Sequence, residues 1–89
     1  MYCELVLLRV EENLIALFQA PGGEDFKPGD HVIVLWDQEE KMFPVVNSTW
    51  AEIGSEKMNF VKSCFDVPET EELPRIVSRV VYEPMRYDG

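Results

Sequence analysis

The single histidine, His31, and the two cysteines, Cys3 and Cys64, are the side chains whose types first suggest nucleophilic or metal chemistry. A Cys64–His31 pair would form an activated thiolate if folding joined the two residues. Neither residue has a local context that activates it. His31 stands just after a turn at the head of a β-branched run, where a boundary position is expected. Cys64 falls on the expected inner face of a helix, and both cysteines read as reduced, buried, small hydrophobes. Metal chemistry fares no better, because two cysteines and one histidine separated by long stretches give no paired-ligand spacing. The acidic clusters lack the alternating ligands and central glycine of a calcium loop. Gly22-Gly23 is followed by Glu24-Asp25 and by no lysine-bearing helix start, so it does not read as a phosphate cradle. No metal, nucleotide or other cofactor is expected, and no catalytic residue is assigned.

The acidic residues are the more informative group. Seventeen Asp and Glu stand against eight Lys and Arg, a formal net charge of -9. Such a surface repels nucleic-acid phosphates and anionic membranes, and it suits a basic protein partner. The aromatics Trp36, Trp50, Tyr82 and Tyr87 lack the interleaved Lys and Arg of a base-stacking platform; Asp37-Gln38-Glu39-Glu40 follows Trp36. Acidic pairs recur at successive expected turns: Glu11-Glu12, Glu24-Asp25, Glu39-Glu40, and Glu71-Glu72 in a linker. In an up-and-down antiparallel arrangement the first and third turns share one end. Glu11, Glu12, Asp37, Glu39 and Glu40 would then form an electronegative rim, the candidate partner-binding site. The simpler reading is that exposed turns carry charge for solubility.

These residues need a scaffold, and the chain reads as four strands, a helix and a fifth strand. Strands are expected at Tyr2 to Val10, Leu14 to Phe18, His31 to Trp36 and Lys41 to Val46. Asn13 could adopt a left-handed conformation in the first turn. Pro28-Gly29 spells a type II turn, with Pro28 presetting φ and Gly29 supplying a positive φ. Pro44 cannot donate to a ladder and marks an edge or a bulge. From residue 55 to 65, Met58, Val61 and Phe65 recur at helical spacing behind a Ser55 N-cap, with Phe60 and Cys64 beside them. Pro68 closes the helix, residues 68–74 form a stiff acidic linker, and strand character returns from Arg75 to Glu83.

The expected fold is mainly β (α+β), a small antiparallel barrel or curled sheet of order β-β-β-β-α-β, with the helix plugging an open end. Residues 1–84 form one domain and residues 85–89 a frayed tail. The second and third strands are apolar on both faces, so a helix, a folded-over sheet or another subunit must cover them. Pro28-Gly29-Asp30-His31-Val32-Ile33-Val34 resembles the turn-plus-strand hairpin of SH3-like and related small barrel modules. That resemblance covers about a tenth of the chain and bears on fold, not activity.

The leading functional expectation is a non-enzymatic protein-interaction module that meets a basic partner. The alternatives are an inhibitor that imitates nucleic-acid phosphates and a homo-oligomeric structural subunit. Direct nucleic-acid or membrane binding is not expected. Size and style alone associate the chain with prophage-type accessory proteins. Met1-Tyr2-Cys3-Glu4 carries no basic leader, and Arg9 breaks the run Leu5-Val6-Leu7-Leu8 short of a signal-peptide core, so a cytoplasmic location is expected.

Overall fold

Alternation along the first strand serves two cores at once. In the computed structural model, which describes residues 1–20 and 22–80, β1 (Tyr2–Glu11) sends Val6 and Leu8 to one face and Cys3 and Leu5 to the other. β2 (Leu14–Ala20) pairs antiparallel with it, setting Val6 opposite Phe18 and Leu7 opposite Leu17. β3 (His31–Trp36), β4 (Glu39–Glu52), the helix α1 (Glu56–Cys64) and β5 (Ile76–Val80) follow. The five strands make one antiparallel sheet in the order β2-β1-β4-β3-β5. Expected residues 81–84 of the last strand, and the tail at 85–89, lie outside the described residues.

The sheet is curled, as expected, but it does not close into a barrel. Among the described residues β2 meets the chain before β5 through an isolated bridge, Gln19 to Arg75, and the sheet edges make no further pairing. The curl comes from β4, which runs well past Val46. Residues 39–44 pair with β3, and residues 45–52 pair with β1. The ladder with β1 shifts register between Leu7 and Leu8, which face Asn47 and Val45. Pro44, opposite His31, is the last β4 residue paired with β3, one position before β4 changes partner. Its missing N–H is therefore tolerated beside a bulge, although β4 is a central strand.

Folding at this corner lays the β3 half of the sheet over the β1 half. Between them lie Val6, Leu8, Phe18, Val32, Val34 and Val45, with Phe26 entering from the loop that links β2 to β3. Helix α1 covers the opposite face of the β1 half, packing Met58 with Cys3, Leu5, Leu17 and Ala51. It plugs no open end, because the sheet has no closed bore to plug. For β2 two of the three expected covers are present, a helix on the Leu17 side and the folded-over sheet on the Phe18 side. The outer face of β3 departs from the expectation, for Ile33 is only half-buried and Leu35 is exposed.

Local chemistry sets the turns. Gly29 has φ 96° and the Asp30 amide donates to the Lys27 carbonyl at 3.0 Å, the expected type II turn. Asp37 and Gln38 both take positive φ between the paired Trp36 and Glu39, the twist-matched two-residue hairpin turn. Asn13 is not among the positive-φ residues; a bulge between Arg9 and Glu11 absorbs the twist of the first hairpin instead. Ser55 caps α1, its Oγ accepting from the Met58 amide at 3.2 Å. The stripe Met58, Val61, Phe65 does face the core, though Val61 and Phe65 are only half-buried. Phe60 and Cys64 are exposed, correcting the expectation that Cys64 is a core residue, and Lys62 is buried in its stead. Ile15 and Val80, which the apolar strand pattern places inside, are likewise half-buried.

The β2–β3 loop is anchored along its length. The Ser48 hydroxyl donates to the Phe26 carbonyl at 2.6 Å, and the Val45 amide donates to the Asp30 carbonyl at 2.7 Å. Gly23, with φ 60°, lies under the Trp50 indole so closely that a Cβ would fall 1.9 Å from a ring carbon. Gly23→Ala must both strain the backbone and displace the ring. It is expected to lower stability by about 1–3 kcal/mol in urea unfolding. A change near zero would mean that Trp50 swings away without cost.

Candidate functional site

The expected acidic rim divides between two hairpins. The strand directions place the β1–β2 turn and the β3–β4 turn at the same end of the sheet, as the up-and-down reading required. Glu11, Glu12, Asp37, Glu39 and Glu40 are all exposed. Among the described residues no ion pair engages any of them. Arg9 is the local cation, and its guanidinium donates to the Glu12 carbonyl at 2.7 Å, closing the first turn. Asp37 is a turn residue, but Glu39 and Glu40 are the first residues of β4 rather than turn residues. They therefore point to opposite faces.

That parity joins the rim to an apolar surface. Glu40 pairs with Leu35, and two residues along Met42 pairs with Ile33, so all four share the outer face of the β3–β4 hairpin. Leu35 is 59% exposed and Met42 52%, while Ile33 is half-buried. On the neighbouring β5, Val77 is exposed where the pairing with β3 shifts register. The inner face of the same strands carries Val32, Val34 and Trp36 into the core; Trp36 stacks at 5.8 Å from Phe18 and meets Phe43 edge-on at 5.9 Å. The outer apolar residues thus sit on a rigid support. Ile33 and Leu35 were readable from the two-faced third strand, whereas Met42 needed the register.

A second polar constellation is interior. Glu4 is fully buried in β1, and its carboxylate accepts from three successive amides of the β2–β3 loop. The Glu24 and Asp25 amides reach Oε1 at 3.0 Å each, and the Phe26 amide reaches Oε2 at 2.6 Å. Converging amides of this kind form a concave anion site, here filled by the chain itself. From the other side Arg79 donates to the Glu24 carbonyl at 2.8 Å and lies 4.7 Å from the centroid of the Phe26 ring. The Glu24 and Asp30 carboxylates are each 3.8 Å from the guanidinium. The sequence signal for Glu4 is a lone acid inside the apolar stretch Tyr2-Cys3-Glu4-Leu5-Val6, which catalytic and metal-ligand patterns do not pick out. Its oxygens are committed to the loop, so it is a fastening and not an acid catalyst.

His31 and Cys64 are not brought together. β3 lies in the folded-over layer, whereas α1 packs on the opposite face of the β1 half. Burial pushes the Cys3 thiol up, which keeps it protonated and inert as a nucleophile. No group of three or more His, Cys, Asp or Glu among the described residues could hold a metal ion. No helix among them is long and apolar enough to cross a membrane. Comparison with protein-family models, curated proteins and solved structures finds no match.

Proposed function

We propose that this chain is a non-enzymatic protein-interaction module that binds a basic, partly apolar protein surface through the outer face of its β3–β4 hairpin. One observation carries the reading: the Leu35–Glu40 and Ile33–Met42 pairs place exposed apolar and acidic side chains on one face. Apolar centres with charged margins are the usual anatomy of protein interfaces. Exposed Asp37 adjoins that face at the turn, Glu39 projects from the same hairpin on its other side, and Glu11 and Glu12 stand at the same end of the sheet. The net charge of -9 would steer a cationic partner towards it.

A basic amphipathic peptide of alternating leucine and lysine is a suitable probe. Titrated into the protein, it is expected to shift the backbone amides of Ile33, Leu35, Glu40 and Met42, less so as salt rises. Reversing Glu11, Glu12, Glu39 and Glu40 to lysine should weaken binding by about tenfold or more. Thermal melting should hold, since these exposed side chains bear no ion pair among the described residues. Leu35→Ser should weaken binding at every salt concentration, because the apolar contact is not screened. Shifts that map to residues 69–72 instead, or undiminished binding by the reversed variant, would overturn the assignment.

A further inference from the structure

The buried cation of this acidic chain points to a second site, on the far layer from the β3–β4 hairpin and independent of it. Lys62 is 4% exposed, in the last turn of α1. Its ammonium donates to the Glu69 carbonyl at 3.0 Å and to the Glu71 carbonyl at 2.5 Å. An ammonium has three protons. Among the described residues the third has no acceptor, and no carboxylate pairs with the charge. A buried charge ordinarily has a counter-ion. Here the residue lines an open cleft of about 390 Å³ between α1 and the segment leading to β5.

The rest of the lining fits the counter-ion to a small molecule. Met58, Leu73 and Ile53 supply apolar wall, Ile53 being 48% exposed. The side-chain amide of half-buried Asn59 makes no hydrogen bond to another described residue, and exposed Arg75 also lines the cleft. The volume lies in the range of small-molecule sites, which run from roughly 300 to 1,000 Å³. Glu69, Glu71 and Glu72 also border the cleft, with only Glu72 offset, by Arg75 at 3.1 Å. Like-charge repulsion from the three rim carboxylates disfavours a polyanion such as phosphate, so the anion set against Lys62 carries a single negative charge. We infer that this cleft binds a small monocarboxylate, its carboxylate on the Lys62 ammonium and its short apolar tail against Met58 and Leu73.

Hexanoate and hexanamide, titrated into the full chain and followed by backbone amide shifts, test this directly. Hexanoate should shift Asn59, Lys62 and Leu73 saturably, and hexanamide should bind about tenfold more weakly or not at all. Lys62→Met keeps the apolar stem and should abolish the preference for the acid. Should that variant not fold, Arg75→Gln decides, since Arg75 is exposed and its loss leaves the core intact. It should weaken hexanoate several-fold and leave hexanamide unchanged. Equal binding of acid and amide, no saturable shift, or a folded Lys62→Met that still prefers hexanoate would overturn the site. Saturable binding of N-acetyl-leucylglycine without hexanoate would also overturn it, replacing the small acid with a peptide C-terminus.

Discussion

Glu4→Ala is expected to cost this domain about 3–5 kcal/mol, as for leaving several buried donors without their charged acceptor. The substitution strands the amides of Glu24, Asp25 and Phe26, which now share one carboxylate at 2.6–3.0 Å. Each buried donor left unsatisfied costs about 1–3 kcal/mol. The three costs do not simply add, because the loop can lift away and give its amides to water. Lifting, however, withdraws Phe26, 3% exposed, from the core between the two halves of the sheet. Glu4→Gln separates charge and hydrogen bonding from shape. One carboxylate oxygen becomes an NH₂ group facing a backbone donor, and a loss of about 1.5–3 kcal/mol follows. Urea unfolding measures both values, and hydrogen exchange at the three amides reports whether the loop opens before the rest. A Glu4→Gln variant as stable as the parent would show that the loop is not held from this side.

Phe18→Ala is the second large effect, at about 3–5 kcal/mol. Phe18 is fully buried, stands opposite Val6 across the β1–β2 ladder and touches Trp36 in the other layer. It is therefore the side chain by which the β2 edge grips the folded-over half. Neighbouring ladders hold the backbone on both layers, so the site collapses poorly and the void persists. Trp36 loses one of its two aromatic neighbours among the described residues, so its fluorescence should change in the folded state as well. With a total stability of order 5–15 kcal/mol expected for a domain of this kind, either substitution removes a large share. A Phe18→Ala cost below about 1.5 kcal/mol would mean that the layers close over the gap.

The parts of this architecture legible in the sequence are those fixed by neighbouring residues. Pro28-Gly29 dictates its turn, Ser55 its cap, and the β-branched run from Val32 to Val34 its strand, all through local backbone chemistry. What escaped depends on partners distant in the chain. Asn47, Ser48 and Thr49 read as the end of a strand because they are polar, yet β1 holds them in its ladder and Phe26 takes the Ser48 hydroxyl. Hydropathy places Cys64 inside and Lys62 outside on α1. The carbonyls of Glu69 and Glu71 reverse that choice by replacing water around the ammonium. The shared end of the two acidic turns followed from counting strands. Its junction with Leu35 and Met42 did not, because a single-residue slip of register would send Glu40 to the opposite face.

The partner exchange within β4 bears on how the chain comes together. The first hairpin, β1 with β2, is complete in sequence by Ala20, but both its faces are apolar and both of its lasting covers arrive later. Its other ladder joins Leu8 to Val45 and Tyr2 to Glu52, contacts of high sequence separation that form slowly. β4 contributes a strand to both halves of the sheet, so the two halves are expected to fold as one cooperative unit. Until residues 45–52 dock, a nascent or refolding chain displays an adhesive hairpin with an open edge. Mutual repulsion among chains carrying a net charge of -9 then acts as a kinetic safeguard, spacing incomplete molecules apart during the interval in which they are most prone to aggregate.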